Sequence, residues 1–187
     1  TFFRSVYFMP SMVSVAIIGV IFNYLFSHHR GIINEFLRLC GREGVEWFSH
    51  RGTGLIVIMI ASIWQNFGIN MLFFMTGLQS IDPSMYDAAS IDGADGMHRF
   101  RFITLPLLAP TTLFLVVTTF VSSMKVFQSV DVMTGGGPGT ATNVMVQWIY
   151  NLTFTDFRTA RGAAVSVVFF VILLVCTAAT MKFSNRN

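Results

Sequence analysis

Apolar residues in this chain gather into four long runs separated by polar segments. The runs extend from about Val6 to Phe26, Leu55 to Leu78, Leu107 to Val132 and Ala163 to Met181. Each is close to the roughly 20 residues that a helix needs to cross the hydrocarbon core of a bilayer, so the pattern predicts four transmembrane helices. Arg4 flanks the first run, and Pro10 lies in its early turns, where a membrane helix tolerates a kink. Lys182 and Arg186 close the last. Between the first two runs, Ser27 to Thr53 is polar, and Ile33, Phe36, Leu37 and Cys40 predict a short amphipathic helix lying on the surface.

Two of the runs carry polar residues at helical spacing. Ser62, Asn66 and Asn70 recur at i, i+4 and i+8 in the second. In the third, a continuous helix would put Ser122, Lys125, Gln128 and Ser129 on one face. Polar groups at membrane depth face a bundle interior, where they bond another helix or line a watery path. Lys125, the costliest of them in lipid, points to a polar cavity or snorkels to the interface.

The segment Asp82 to Pro110 reads as a polar helix-turn-helix held at the membrane surface. Asp82 is placed to N-cap a first helix, with Pro83 at the position where a missing N–H is no loss. Met85, Ala88 and Ala89 give that helix a small apolar face, and Gly93 ends it. Asp95 is placed to cap a second helix, whose junction with the next run is marked by Pro106 and Pro110. Such a surface suits the docking of another protein.

Of 187 residues, 53% are hydrophobic and 11% charged, far from a soluble domain. The net charge of +3 is small and its arginines are scattered, which excludes a nucleic-acid surface or a polybasic lipid patch. Cys40 and Cys176 predict neither a disulfide nor a metal site. The histidines, His28, His29, His50 and His98, belong to no catalytic arrangement. The glycine-rich T-G-G-G-P-G at Thr134 to Gly139 lacks the following Lys-Ser or Lys-Thr of a phosphate loop and reads as a turn at the outer face. Trp148 and Tyr150, in the segment 143–156, suit an interfacial position. The expectation is a transport or docking protein, not an enzyme.

The order D-A-A-S-I-D-G-A, five residues, then F-R-F-I-T-L-P resembles the EAA loop of ABC importer permeases, and T-G-G-G-P resembles a loop of the larger, maltose-type permease of carbohydrate importers. The resemblance covers nearly the whole chain. It implies an all-α fold, a polytopic membrane helical bundle with four visible transmembrane helices of an expected six. The chain, 1–187, is then the C-terminal part of an ABC transporter transmembrane domain, including the coupling loop 82–110, and with Thr1 as first residue its translation start is expected upstream. By the same resemblance Asp87, Ala88, Ala89, Asp92, Gly93 and Ala94 form a cytoplasmic coupling helix that fits a cleft on an ATPase subunit. Asp87 stands where the family usually has glutamate, one methylene longer. The family's sugar site maps here onto Ser62, Asn66 and Ile69 before the loop, and Ser122, Ser123 and Val126 after it. The polar stripes overlap this set and add Asn70, Lys125 and Gln128.

Positive charge does not fix the orientation. With the coupling loop inside, Arg4, Arg99, Arg101, Lys182 and Arg186 lie inside, and Arg30, Arg38, Arg42, Arg51, Arg158 and Arg161 outside. The resemblance places the loop inside, in a bacterial cytoplasmic (inner) membrane. It implies a sugar or polyol importer working by alternating access, with glycerol 3-phosphate or a glycerophosphodiester as the other solute class and a membrane scaffold as the non-transport alternative. The partners implied are a second, non-identical permease, two ATPase subunits and an extracytoplasmic solute-binding protein, all with membrane lipid and no nucleic acid. The chain itself needs no cofactor; ATP and magnesium belong to the partner ATPase.

Overall fold

The computed structural model describes residues 2–184; Thr1 and Arg186, assigned above as chain start and inner flank, lie outside the described residues. Helices make up the fold, and no strand occurs among the described residues. Two of them, Gly52–Gln79 and Thr159–Lys182, are long and apolar enough to cross a membrane unbroken. Two bent pairs provide the remaining apolar length, Phe2–Met12 with Val15–Leu25 and Gly96–Leu107 with Ala109–Met124.

The first run is bent far more sharply than the kink its hydropathy suggests. Helix α1 (Phe2–Phe8) passes into a 3-10 turn at Met9–Met12, and α2 (Val15–Leu25) leaves it at 96°. Pro10 has no N–H to continue the α ladder. The turn closes instead through the Val13 N–H to the Pro10 carbonyl at 3.2 Å and the Ser11 hydroxyl to the Phe8 carbonyl at 2.6 Å. Val13 then turns extended, and its carbonyl accepts from Gln65 Nε2 at 3.0 Å. That bond ties the corner to α4 (Arg51–Gln79).

Gly68 lets α4 come close to the same corner. A Cβ there would overlap the Tyr7 carbonyl and lie 2.6 Å from Phe8 Cα, both backbone atoms that cannot swing aside. Gly68→Ala is expected to destabilise the fold by about 1–3 kcal/mol, the usual cost of overpacking. Thermal unfolding of the protein in lipid would measure it; an unchanged melting temperature would contradict the tight crossing.

The polar segment that follows contains the expected short helix, α3 (Ile32–Leu39). Of its predicted apolar face, Ile33 and Leu37 are half-buried while Phe36 and Cys40 are exposed. The anchor is polar: Asn34 is fully buried at 0% exposure. Its Oδ1 accepts from the Val45 N–H at 2.9 Å and the Trp47 indole at 3.0 Å, and its Nδ2 donates to the carbonyls of Val45, Ser27 and His28 at 2.9, 3.2 and 3.3 Å.

After α4 come α5 (Pro83–Ile91) and a rod made of α6 (Gly96–Arg99), a π turn (Phe100–Thr104) and α7 (Leu105–Leu107). This rod meets α8 (Ala109–Met124) at 59°, and Pro110 stands in the first turn of α8, as its sequence position implies. The third run is interrupted a second time, which the hydropathy did not reveal. Helix α8 stops at Met124, Phe127 leaves helical geometry at φ −136° and ψ −59°, and α9 (Gln128–Thr134) begins afresh. The single face proposed for Ser122, Lys125, Gln128 and Ser129 does not exist; the first two belong to the end of α8, the last two to the first turn of α9. The new direction lets α9 bury Val130 and Met133 against α2 and α4, and Ser129 is carried into that contact.

The core lies where α2, α4 and α9 meet, with Ile18, Phe22 and Phe26 against Val57, Ile58 and Ala61 and against Val130 and Met133. Thr134 to Asn143 forms the expected turn, but a folded one. Thr142 is 1% exposed, its hydroxyl 2.8 Å from both the Gly137 carbonyl and the Thr134 hydroxyl. Helix α10 (Met145–Tyr150) and its π extension (Asn151–Thr155) then pack on α11 (Thr159–Ser184). Helix α11 also packs on α8, yet only 11% of its apolar window is buried. Most of it is left for lipid or another chain.

Candidate functional site

The helix-turn-helix at 82–107 folds as its capping residues dictate. Asp82 Oδ1 accepts the Ser84 N–H at 2.9 Å with Pro83 in the first turn, and Asp95 Oδ1 accepts the His98 N–H at 2.7 Å. Helix α5 ends in a Schellman motif, with the Ala94 N–H on the Ala89 carbonyl at 2.9 Å and the Gly93 N–H on the Ser90 carbonyl at 3.2 Å. The motif requires a left-handed residue, and Gly93 supplies it at φ +75°.

The bond from Ser84 holds the Asp82 carboxyl below the ordinary carboxylate value of 3.8. A lowered folded-state pKa means the cap is fully formed above the unfolded value and is lost as pH falls through the folded one. The protection of the Ser84 amide relative to its intrinsic exchange rate is expected to hold at neutral pH and to be lost only below the ordinary carboxylate value, where a protonated acceptor loses its charge-assisted bond. Exchange that follows the ordinary carboxylate titration would remove the cap from the account.

Four side chains that the motif did not single out hold the two helices together. The Tyr86 hydroxyl lies 3.0 Å from the Thr104 hydroxyl, and Arg99 donates to the Ser90 hydroxyl at 3.0 Å. Ser90 in turn donates to the Tyr86 carbonyl at 2.7 Å. Thr104 is buried; Asp87, Ala88, Asp92 and Gly93 are exposed, with Ala89 and Ala94 half-buried. Within the clamp Tyr86 and Arg99 are half-buried and Ser90 is exposed, and the exposed motif residues lie beside Met85 and Ile91, which are 47% and 87% exposed. Exposed apolar side chains beside carboxylates form a surface with one firm geometry.

This surface sits at one end of α4 and α8, which pack as antiparallel neighbours. Phe73 and Phe114 meet at 5.4 Å, and a Cβ at Gly77 would lie 2.7 Å from Thr111 Oγ1. Following both helices from there at about 1.5 Å per residue brings Asn66 level with Ser122 and Ser62 level with Lys125. Depth therefore matches for the two polar sets. Asn66 is exposed, and its amide bonds only to the Ser62 carbonyl one turn earlier, at 2.8 Å. Ser62, Ile69 and Asn70 are half-buried. On the other side Ser122, Ser123, Lys125 and Gln128 are exposed and Val126 is half-buried; the Ser123 hydroxyl returns to the Phe120 carbonyl at 2.8 Å. No side-chain hydrogen bond among the described residues joins either set to another helix.

Residues 1–185 match the family described as the binding-protein-dependent transport system inner membrane component. Among its relatives, the sn-glycerol-3-phosphate transport system permease protein UgpA of Agrobacterium fabrum is 37% identical over 189 residues, covering 100% of this chain and 64% of that protein. The sulfoquinovosyl glycerol transport system permease protein SmoG of the same organism is 32% identical over 174 residues, covering 93% of this chain and 56% of that protein. The chain thus spans about two thirds or less of the relatives it matches. The fold is shared with a bacterial ABC transporter for the acidic polysaccharide alginate, at a TM-score of 0.90 and 23% identity over 98% of this chain and 64% of the other.

Proposed function

We propose, for a chain that belongs to the binding-protein-dependent transport system inner membrane component family, that it is a permease subunit of an ATP-driven importer in the bacterial inner membrane. The observation that carries this reading is the clamped helix pair at 82–107. Tyr86, Ser90, Arg99 and Thr104 fix its two helices to each other, while Asp87, Ala88 and Asp92 remain exposed and take no part in that clamp. A surface of this kind transmits force because it moves as one body with α4 and α8. ATP hydrolysis takes place in two partner ATPase subunits, whose closure draws the coupling helices together and switches access to the path between this subunit and a second permease. A solute-binding protein delivers the cargo from outside.

The cargo we infer is a small polyhydroxyl compound bearing an anionic group. Ser62, Asn66 and Asn70 on α4 and Ser122 and Ser123 on α8 offer hydroxyl and amide partners for such a body. Lys125 stands at the same depth as Ser62 and supplies a positive charge there. The solutes named for the relatives fit this chemistry, since a glycerol phosphate and a sulfonated sugar glycerol each combine hydroxyls with a fixed negative charge.

The test is ATPase activity of the co-purified complex in lipid, with and without loaded binding protein, paired with uptake into proteoliposomes. Lys125→Met is expected to raise the KM for sn-glycerol 3-phosphate by tenfold or more while stimulation by a neutral sugar, if transported, is unchanged. A complex that assembles with no ATPase, or hydrolyses ATP without response to any loaded binding protein, would contradict the importer reading. Equal loss for charged and neutral solutes would contradict the role of Lys125.

A further inference from the structure

Three aromatic rings form an unassigned row beginning at the break between α8 and α9. Phe127 lies 4.9 Å from Tyr150 and Tyr150 lies 5.2 Å from Phe154, with tilts of 44° and 39°. Tyr150 and Phe154 share a face of α10 and its π extension, one turn apart, and are 41% and 63% exposed. We propose that this row is a stacking ledge for the apolar face of a pyranose ring, leading an acidic saccharide past Lys125 into the path between α4 and α8. The proposal rests on the importer reading given above and deepens it by assigning a ring-bearing sugar to the cargo.

Three observations favour a sugar over lipid as the occupant. Helix α8 has 16 residues, so the break lies about 24 Å from its cytoplasmic end, within the reach of a hydrocarbon layer of about 30 Å. Non-helical backbone at that depth survives only where protein or water satisfies its polar groups; the Val126 N–H bonds the Ser123 carbonyl at 3.4 Å and the Phe127 carbonyl accepts from the Asp131 N–H at 2.9 Å, while no protein acceptor among the described residues meets the Phe127 N–H. The start of the row therefore borders a wet space.

Charge supports the same occupant. Lys125 and Gln128 flank Phe127 in the chain, and both are exposed. A cation and an amide beside a ring offer a bond to an anionic substituent and to hydroxyls, while the ring takes the C–H face of the same sugar. Lipid chains would use the rings alone. Tyr150 adds a hydroxyl at the middle of the row, where a stacked sugar presents its edge.

The decisive variant is Tyr150→Leu/Phe154→Leu in the complete complex, because leucine keeps an apolar surface for lipid and removes the flat ring. Uptake would be measured with two probes, sn-glycerol 3-phosphate, which has no ring, and a methyl glucuronide, which has one. The expected result is a KM for the glucuronide raised about tenfold at unchanged kcat, the mark of lost binding common to ground and transition states. The KM for glycerol phosphate stays as in wild type, and Tyr150→Phe/Phe154→Tyr restores the glucuronide value. An unchanged glucuronide KM overturns the ledge. So does transport of glycerol phosphate with no transport of the glucuronide, which leaves the importer reading standing; uptake of neither probe overturns both.

Discussion

Gly93→Val is expected to abolish the stimulation of ATP hydrolysis by loaded binding protein, at least tenfold in rate, while the subunit remains in the membrane at its normal level. The cause is local. At φ +75° the turn after α5 sits in the left-handed region, which costs an ordinary L-residue roughly 1–2 kcal/mol and a β-branched one more. Relaxing that strain breaks the two Schellman bonds that Ala94 and Gly93 make to the end of α5, and the exposed edge of the coupling surface shifts. Among the described residues, nothing beyond its own chain neighbours lies within 4 Å of a Cβ at this position, so no internal clash adds to the cost. Gly93→Asn separates the causes, because asparagine tolerates the left-handed region. If Asn retains coupling and Val does not, backbone geometry is the requirement; if both fail, a partner surface approaches the glycine too closely for any side chain. Full coupling in the valine variant would remove the loop from the mechanism.

How far the fold was legible follows from which physical effect set each element. Caps and turns acted locally, so Asp82, Pro83, Gly93 and Asp95 behaved in space as their positions in sequence implied. The apolar runs were also real, and α4 and α11 are unbroken over their length. Hydropathy failed where tertiary packing broke a run that remained apolar throughout. Pro10 signalled a bend, but its 96° depended on the crossing at Gly68 and the bond from Gln65 to Val13, both on a helix more than fifty residues away. The break at Lys125 to Phe127 had no proline or glycine to announce it. It arises because α9 buries Val130 and Met133 against α2 and α4, a contact invisible to a window sliding along one strand of text. Within the helix-turn-helix at 82–107 the exposed motif was readable, whereas the clamp of Tyr86, Ser90, Arg99 and Thr104 was not, since each of those side chains suits a solvated helix equally well.

The largest loss of stability is expected from a residue that pattern reading passed over. Asn34→Leu preserves volume and removes all five hydrogen bonds that fasten α3 and the segment around Val45 and Trp47. The Val45 N–H and the Trp47 indole N–H would be left without their acceptor in a position of 0% exposure. An orphaned buried polar group costs about 1–3 kcal/mol, so the two donors together are expected to cost about 2–6 kcal/mol. The effect does not stop at the loop. Trp47 meets Phe26 edge-on at 5.2 Å, Phe26 stacks on Phe22 at 6.1 Å, and Phe22 lies 5.7 Å from Trp64 of α4, so the indole closes one end of the core. Thermal unfolding of the complex in lipid should shift strongly, with a red-shifted tryptophan emission as Trp47 gains water. Asn34→Asp distinguishes the two halves of the network. The carboxylate keeps an acceptor for Val45 and Trp47 but faces three carbonyls, so at neutral pH it is expected to destabilise as much as leucine does. In mild acid the protonated group donates again and part of the stability returns, a recovery that the leucine variant cannot show. A loss below about 1 kcal/mol in the leucine variant, less than one orphaned donor should cost, would mean that water replaces Asn34 and that the segment around α3 is not fixed from within.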